Sequence, residues 1–134
     1  MTSQTIDVSV IIPVYNGEKS IKQMVDDVLA EQRVSLELIV IDDGSTDNTL
    51  NILSSITDSR LKVLTQKNSG VYVARNAGLA AHNGKWLILL DADDEIHPDM
   101  ICSRFSLAEQ NDCDVLVANG IFTAARQNHR GHLV

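Results

Sequence analysis

Aromatic side chains are scarce in this chain, only 4% of its 134 residues, with Trp86 as its one tryptophan. A core must therefore be built from Ile, Leu, Val and Ala. Positive charge is also short: eleven Lys and Arg against eighteen Asp and Glu leave a net charge of -7. Nonspecific nucleic-acid binding depends on clustered cations, so that role is excluded. No apolar run reaches the length of a membrane span, and no transmembrane segment is expected. Met1 to Val8 has neither a basic region nor an apolar signal core. Secretion is therefore not expected; the expected location is the cytoplasm, at the inner face of the membrane for a longer form. The two cysteines, Cys102 and Cys113, lack metal or redox spacing and read as reduced thiols. Two phosphate-binding signatures are missing: there is no G-x-G-x-x-G after the first strand and no G-x-x-x-x-G-K-[ST] anywhere. An acidic chain without them can hold a pyrophosphate only through backbone amides, an arginine or a metal.

What is present is an alternation of short apolar runs with amphipathic stretches. Strands are expected at Val8 to Val14, Leu36 to Asp42, Leu61 to Thr65, Trp86 to Asp91 and Asp114 to Ala118. Between them, Glu18 to Gln32 places Ile21, Met24, Val25, Val28 and Leu29 on one helical face. Thr46 to Ile56 reads as a second helix with Leu50, Leu53 and Ile56 inward. Gly70 to His82 reads as a third, whose small buried side (Val73, Ala77, Ala80, Ala81) should lie close to a sheet. Pro98 opens a fourth helix carrying Ile101, Phe105 and Ala108. The nearly continuous apolar strands suit a parallel sheet covered on both faces. The fold class is α/β: a Rossmann-like, mostly parallel sheet between helices, with right-handed crossovers. One domain over residues 1–122 and a polar tail over 123–134 are expected, the tail without periodicity.

In such a sheet, ligands bind beyond the carboxyl ends of the strands. Polar residues gather there at four successive ends: Tyr15-Asn16-Gly17-Glu18, Asp42-Asp43-Gly44-Ser45, Asn68-Ser69-Gly70 and Asp91-Ala92-Asp93-Asp94. Asp91 and Asp93 are hard oxygen ligands separated by one small residue, a spacing that suits Mg²⁺ or Mn²⁺. A solvated acidic turn explains the same pair equally well. Asp43 is placed to make a turn with Gly44, or to accept a hydrogen bond from a nucleobase. Ser45 and Asp47 read as helix caps, and Glu18 as a first-turn acid favoured by the helix dipole. Arg75 is either a solvated cation or one reaching toward a nucleotide.

With these blocks in order, the chain resembles family 2 of the inverting glycosyltransferases, which have the GT-A fold. The resemblance runs through Val8 to Asn16, Val40 to Asp47, Asn68 to Gly70, Ala74 to Gly78 and Leu90 to Asp94. It implies that Pro13, Val14, Tyr15, Asn16 and Glu18 line a nucleoside pocket and that Asp43 binds the base. Asn68, Gly70 and Ala92 join the nucleotide-binding set, and Arg75 lies near base or phosphate. Asp91 would face the ribose or the metal shell, with Asp93 the direct ligand of Mn²⁺ or Mg²⁺. The implied reaction moves a sugar from a nucleotide-diphosphate donor, with UDP favoured, to a hydroxyl of a glycan or other acceptor. The family's general base comes from a segment after the fifth strand, and no such segment is recognisable from Thr123 to Val134. The base is expected beyond Val134, in a longer enzyme; the other options are that the short chain is inactive or that it completes its site by association, as a homo-oligomer would. Two alternatives stay open: a noncatalytic nucleotide-binding module, and a receiver-like signalling domain built on Asp42, Asp43 and Asp91.

Overall fold

The computed structural model describes residues 5–111 and the backbone of two further short strands, 116–118 and 124–126. Four parallel strands form the sheet: β1 (Val8–Val14), β2 (Leu36–Asp42), β3 (Leu61–Thr65) and β4 (Trp86–Leu89), in the order β3-β2-β1-β4. Helices α1 (Ile21–Leu29), α2 (Thr49–Ser54) and α3 (Val71–Ala81) connect them in turn, and α4 (Met100–Gln110) follows β4. β1 and β2 are central and buried at every residue, which is why both read as unbroken apolar runs. Their register is in step, Val8 opposite Leu36 through Val14 opposite Asp42.

One face of the sheet packs Val10, Ile12, Leu38 and Val40 against α1, with Ile21, Met24, Val25, Val28 and Leu29 all buried as the helical period predicts. Arg60 secures this face by donating to the carbonyls of Leu29 and Glu31 at the end of α1, 2.6 and 2.8 Å away. Those carbonyls have no partner inside the helix, so the guanidinium satisfies them. Glu109 ties α4 to β4 by accepting from the Trp86 indole (2.6 Å) and pairing with Lys85 (2.8 Å).

The other face carries α3. Its closeness to the sheet is as the small residues predict, but the residues facing inward differ: Ala74 and Gly78 are buried, while Val73 and Ala80 are exposed. The inward face is turned slightly from the expected one, and its point of closest approach is a glycine, which carries no apolar signal of its own. A Cβ on Gly78 would stand 2.5 Å from Ile11 Cγ2 and 2.9 Å from Ile41 Cδ1. Gly78→Val is therefore expected to lower stability by about 1–3 kcal/mol in urea titrations, although valine is the better helix former. An unchanged midpoint would mean that α3 can stand off the sheet.

Four more expectations are corrected. α2 begins at Thr49 rather than Thr46, and Leu50 is exposed instead of inward. Glu18 precedes α1 and is not in its first turn. Among the described residues β4 is at the edge of the sheet, and Leu87 and Leu89 are exposed on the α3 side while Trp86, Ile88 and Leu90 meet the core. The fifth strand, β5 (Leu116–Ala118), pairs antiparallel with β6 (Ala124–Arg126) in a separate two-stranded sheet. β6 falls inside the expected tail; the rest of that tail and Cys113 lie outside the described residues. Cys102 is a free thiol.

Candidate functional site

The order in which strands are added reverses at β1: β2 and β3 lie to one side of it and β4 to the other. In an open parallel sheet such a switch point, here between the carboxyl ends of β1 and β4, is where a ligand crevice is expected. The two ends do meet. A Cβ on Gly17 would come within 3.8 Å of the Ala92 Cβ, and Leu90 N–H donates to the Ile11 carbonyl (3.0 Å), prolonging the pairing up to Asp91.

On the β1 side, Pro13 and Val14 are buried strand residues opposite Ile41 and Asp42. Tyr15 is the first residue to stand clear, with half its surface exposed. Asn16 and Glu18 turn toward the loop after β2. Asn16 Oδ1 accepts from Thr46 N–H (2.7 Å), and Glu18 Oε2 accepts from Asn48 N–H (3.2 Å). Asp47 accepts from the Thr49 amide and hydroxyl at the start of α2, and Ser45 Oγ accepts from Asn16 N–H. Residues 45–48 are thus occupied in joining two loops, which is why α2 starts late.

Asp43 is buried, and its carboxylate makes no ion pair among the described residues. Oδ1 accepts from Gln66 Nε2 and Ser69 N–H, both at 2.8 Å; Oδ2 accepts from Gly70 N–H at 3.1 Å and Asn68 Nδ2 at 3.4 Å. Burial alone would raise its pKa, but these donors outweigh burial and hold it below the ordinary carboxylate value. Asp43 so gathers Asn68 and Gly70 around itself at the entrance to α3. The close approach needs Gly44, whose φ is +75° and whose missing Cβ would lie 2.8 Å from the Asn68 nitrogen.

On the β4 side, Asp91 is held twice. Its N–H donates to Asp94 Oδ2 (2.8 Å), and its Oδ1 accepts from Arg75 Nη2 (2.9 Å), which reaches across from α3. Arg75 Nε is buried without a partner among the described residues. Asp93, on the same turn, is exposed and has neither a hydrogen bond nor an ion pair among the described residues. The structure therefore distinguishes two carboxylates that look alike in D-x-D: one is engaged and one is free.

These residues fit a particular kind of metal site. Among the described residues no group of three His, Cys, Asp or Glu could cage an ion. A turn with one free and one engaged carboxylate suits a hard cation that takes its remaining oxygens from phosphate and water. Gln66 is absent from the residues singled out from sequence, and Asp94 is placed there at its strand end without a role. Gln66 is the first residue past β3, and Asp94 lies three residues after Asp91, so strand-end position was the available signal for both.

A model of glycosyl transferase family 2 matches residues 9–133. The chain belongs to that family. The receiver-like alternative is thereby set aside. The E. coli K12 glycosyltransferase YibD, whose name carries the word uncharacterized, is 36% identical over 121 residues, covering 89% of this chain and 35% of YibD. The crystal structure of S. aureus TarS 1-349 in complex with UDP-GlcNAc superposes with a TM-score of 0.77 at 32% identity, over 88% of this chain and 37% of that one. Glucosyl-3-phosphoglycerate synthase from Mycobacterium tuberculosis, in complex with Mn²⁺, UDP and glucosyl-3-phosphoglycerate, gives a TM-score of 0.62 at 27% identity, over 75% and 39% of the chains. This family member thus spans about a third of the length of the relatives it matches. Among the described residues, no helix is long and apolar enough to cross a membrane.

Proposed function

We propose that this family 2 chain binds the nucleoside diphosphate of a UDP-sugar at the β1/β4 crevice, together with a divalent cation. In the longer protein, the sugar passes to an acceptor hydroxyl. The observation that carries this reading is a free Asp93 carboxylate after β4 and an exposed Tyr15 after β1, on the two loops that meet at Gly17 and Ala92 beside the switch point. Neighbours of similar fold bind UDP-GlcNAc, or UDP with Mn²⁺, which supports the choice of ligand.

Each side chain then has a defined task. Tyr15 offers a ring face at the crevice. Asp43 presents Oδ2, the oxygen with the longer bonds, to an N–H of the base, while Oδ1 stays with Gln66 and Ser69. Arg75 keeps Asp91 in place and has a buried Nε still to satisfy. Asp93 holds Mn²⁺ or Mg²⁺, with Asp91 beside it. The ion, when bound, acts as a Lewis acid on the departing diphosphate. The carboxylate base that deprotonates the acceptor is assigned to the part of the longer protein this chain does not span.

A thermal-shift series tests the reading. UDP at a hundred times its Kd in the presence of Mn²⁺ should add about 2.7 kcal/mol of stability, and the pair should exceed the sum of the separate shifts. Neither partner completes the ion's coordination without the other. Strictly additive shifts, or none, would reject the shared site.

A further inference from the structure

Asn16 is the one non-glycine residue with a positive φ, +51°, among the described residues. That left-handed conformation is disfavoured for side chains with a Cβ, Asn tolerating it best. A strained residue persists only where its surroundings fix it, and here they do. Asn16 Oδ1 accepts from Thr46 N–H (2.7 Å), Thr46 Oγ1 (3.3 Å) and Asp47 N–H (3.3 Å). Its own N–H donates to Ser45 Oγ (2.8 Å). The next residues continue the seam: Gly17 N–H donates to Thr49 Oγ1 and Glu18 N–H to Asp47 Oδ2. The loop after β1 is thus locked onto the loop after β2 at the point where the chain reverses hand.

This changes the part Asn16 can play. Its acceptor oxygen and backbone donor are taken up by protein, so the residue is poorly equipped to touch a ligand with either. The residue before it is free: Tyr15 is 51% exposed, with no hydrogen bond among the described residues. An exposed aromatic ring on a loop normally samples several directions. The left-handed kink directly after Tyr15, clamped by residues 45–47, fixes the backbone from which that ring projects.

We propose that Asn16 is a positioning residue, acting on the nucleotide only through Tyr15, whose ring it aims at the base. The inference rests on the donor-binding reading above but assigns Asn16 a role that differs from lining the pocket. Two separate properties carry it: tolerance of positive φ, and a carboxamide oxygen aimed at the Thr46 and Asp47 amides. Glycine retains the first and loses the second; alanine loses both.

Calorimetric titration of UDP with Mn²⁺ into wild type, Asn16→Ala, Asn16→Gly, Tyr15→Ala and the Tyr15→Ala/Asn16→Ala double variant tests the proposal. Asn16→Ala should weaken UDP about tenfold, since a small displacement of a contacting group has effects of this size. Asn16→Gly should recover part of the loss, to about threefold below wild type. In the Tyr15→Ala background, Asn16→Ala should change affinity less than about twofold, because the two residues act as one unit. An equal loss in both backgrounds would overturn the proposal, pointing to direct contact or general loop damage. Equal losses for Asn16→Gly and Asn16→Ala would overturn the part played by backbone hand. If wild type does not bind UDP, the donor-binding reading itself fails. Binding by wild type with additive variants removes this inference alone.

Discussion

Asp93→Ala is expected to abolish the gain that Mn²⁺ gives to UDP binding, while the unliganded protein keeps its melting temperature within about 3 °C. Both halves follow from geometry. Asp93 sits exposed on the turn after β4 with no partner among the described residues, so removing its carboxylate breaks nothing in the fold. The same removal takes away the D-x-D carboxylate that makes no bond to any described residue, whereas Asp91 Oδ1 is engaged with Arg75. Asp91→Ala makes a useful contrast. It would also weaken metal-dependent binding, but it strips Arg75 of its partner and so disturbs the unliganded site as well. The ion pair is half exposed and contributes about 0–1 kcal/mol. Titration of UDP with and without Mn²⁺ measures the first effect and a melting scan the second. Retained metal dependence in Asp93→Ala would place the ion elsewhere; a large fall in melting temperature would make Asp93 structural.

Glu37→Ala is expected to cost about 3 kcal/mol of stability, the largest effect on folding foreseen for any polar residue here. Glu37 is 2% exposed near the amino end of β2, away from the ligand edge. It accepts from Ser9 Oγ (2.5 Å), Lys62 Nζ (2.6 Å) and Asn83 N–H (2.6 Å). Ser9 Oγ in turn accepts from Gly84 N–H at 2.8 Å. Alanine would leave the buried Ser9 hydroxyl, and the Asn83 amide beside it, without their acceptor. Space there is tight: a Cβ on Gly84 would lie 2.6 Å from Ser9 N. Burial by itself would raise the Glu37 pKa, but the bonds from Lys62, Ser9 and Asn83 outweigh it and bring it from 4.5 down to about 2. A carboxyl with a depressed folded-state pKa stabilises fully above its unfolded value. Its contribution is then lost as pH falls from about 4.5 toward 2. Urea titrations across that window should show the decline in wild type and a much flatter profile in Glu37→Gln. Parallel profiles would mean that other carboxylates govern acid unfolding.

Much of this was legible in the sequence because it was local. The spacing of Ile21, Met24, Val25, Val28 and Leu29 announced the buried face of α1, and apolar runs bounded by Asp and Asn announced the strands. The rule that ligands meet strand ends then collected Tyr15, Asp43, Asn68 and Asp91–Asp94 correctly at one edge. What sequence could not give was partnership between distant loops. Leu50 looked inward because Thr46 and Asp47 looked helical, whereas Asn16, thirty residues earlier, draws both out of the helix. Glu18 looked like a helix-dipole acid and is instead an acceptor for Asn48. Leu87 and Leu89 looked interior because hydrophobicity reports preference for burial, not whether a neighbouring strand is there to provide it. D-x-D gave two equivalent carboxylates; only Arg75, from another element, separates them.

The Glu37 cluster and the ligand edge stand at opposite ends of the same strand. Five residue steps along β2 lead from Glu37 to Asp42, roughly 17 Å at about 3.3 Å per step. That exceeds the screening length of about 8 Å at physiological ionic strength, so protonating Glu37 barely alters the potential felt by a diphosphate. Protonating Glu37 therefore loosens the base of the sheet without acting through its charge on the working edge. Glu37→Gln should accordingly change how melting temperature falls with acid while leaving the pH profile of nucleotide affinity as in wild type.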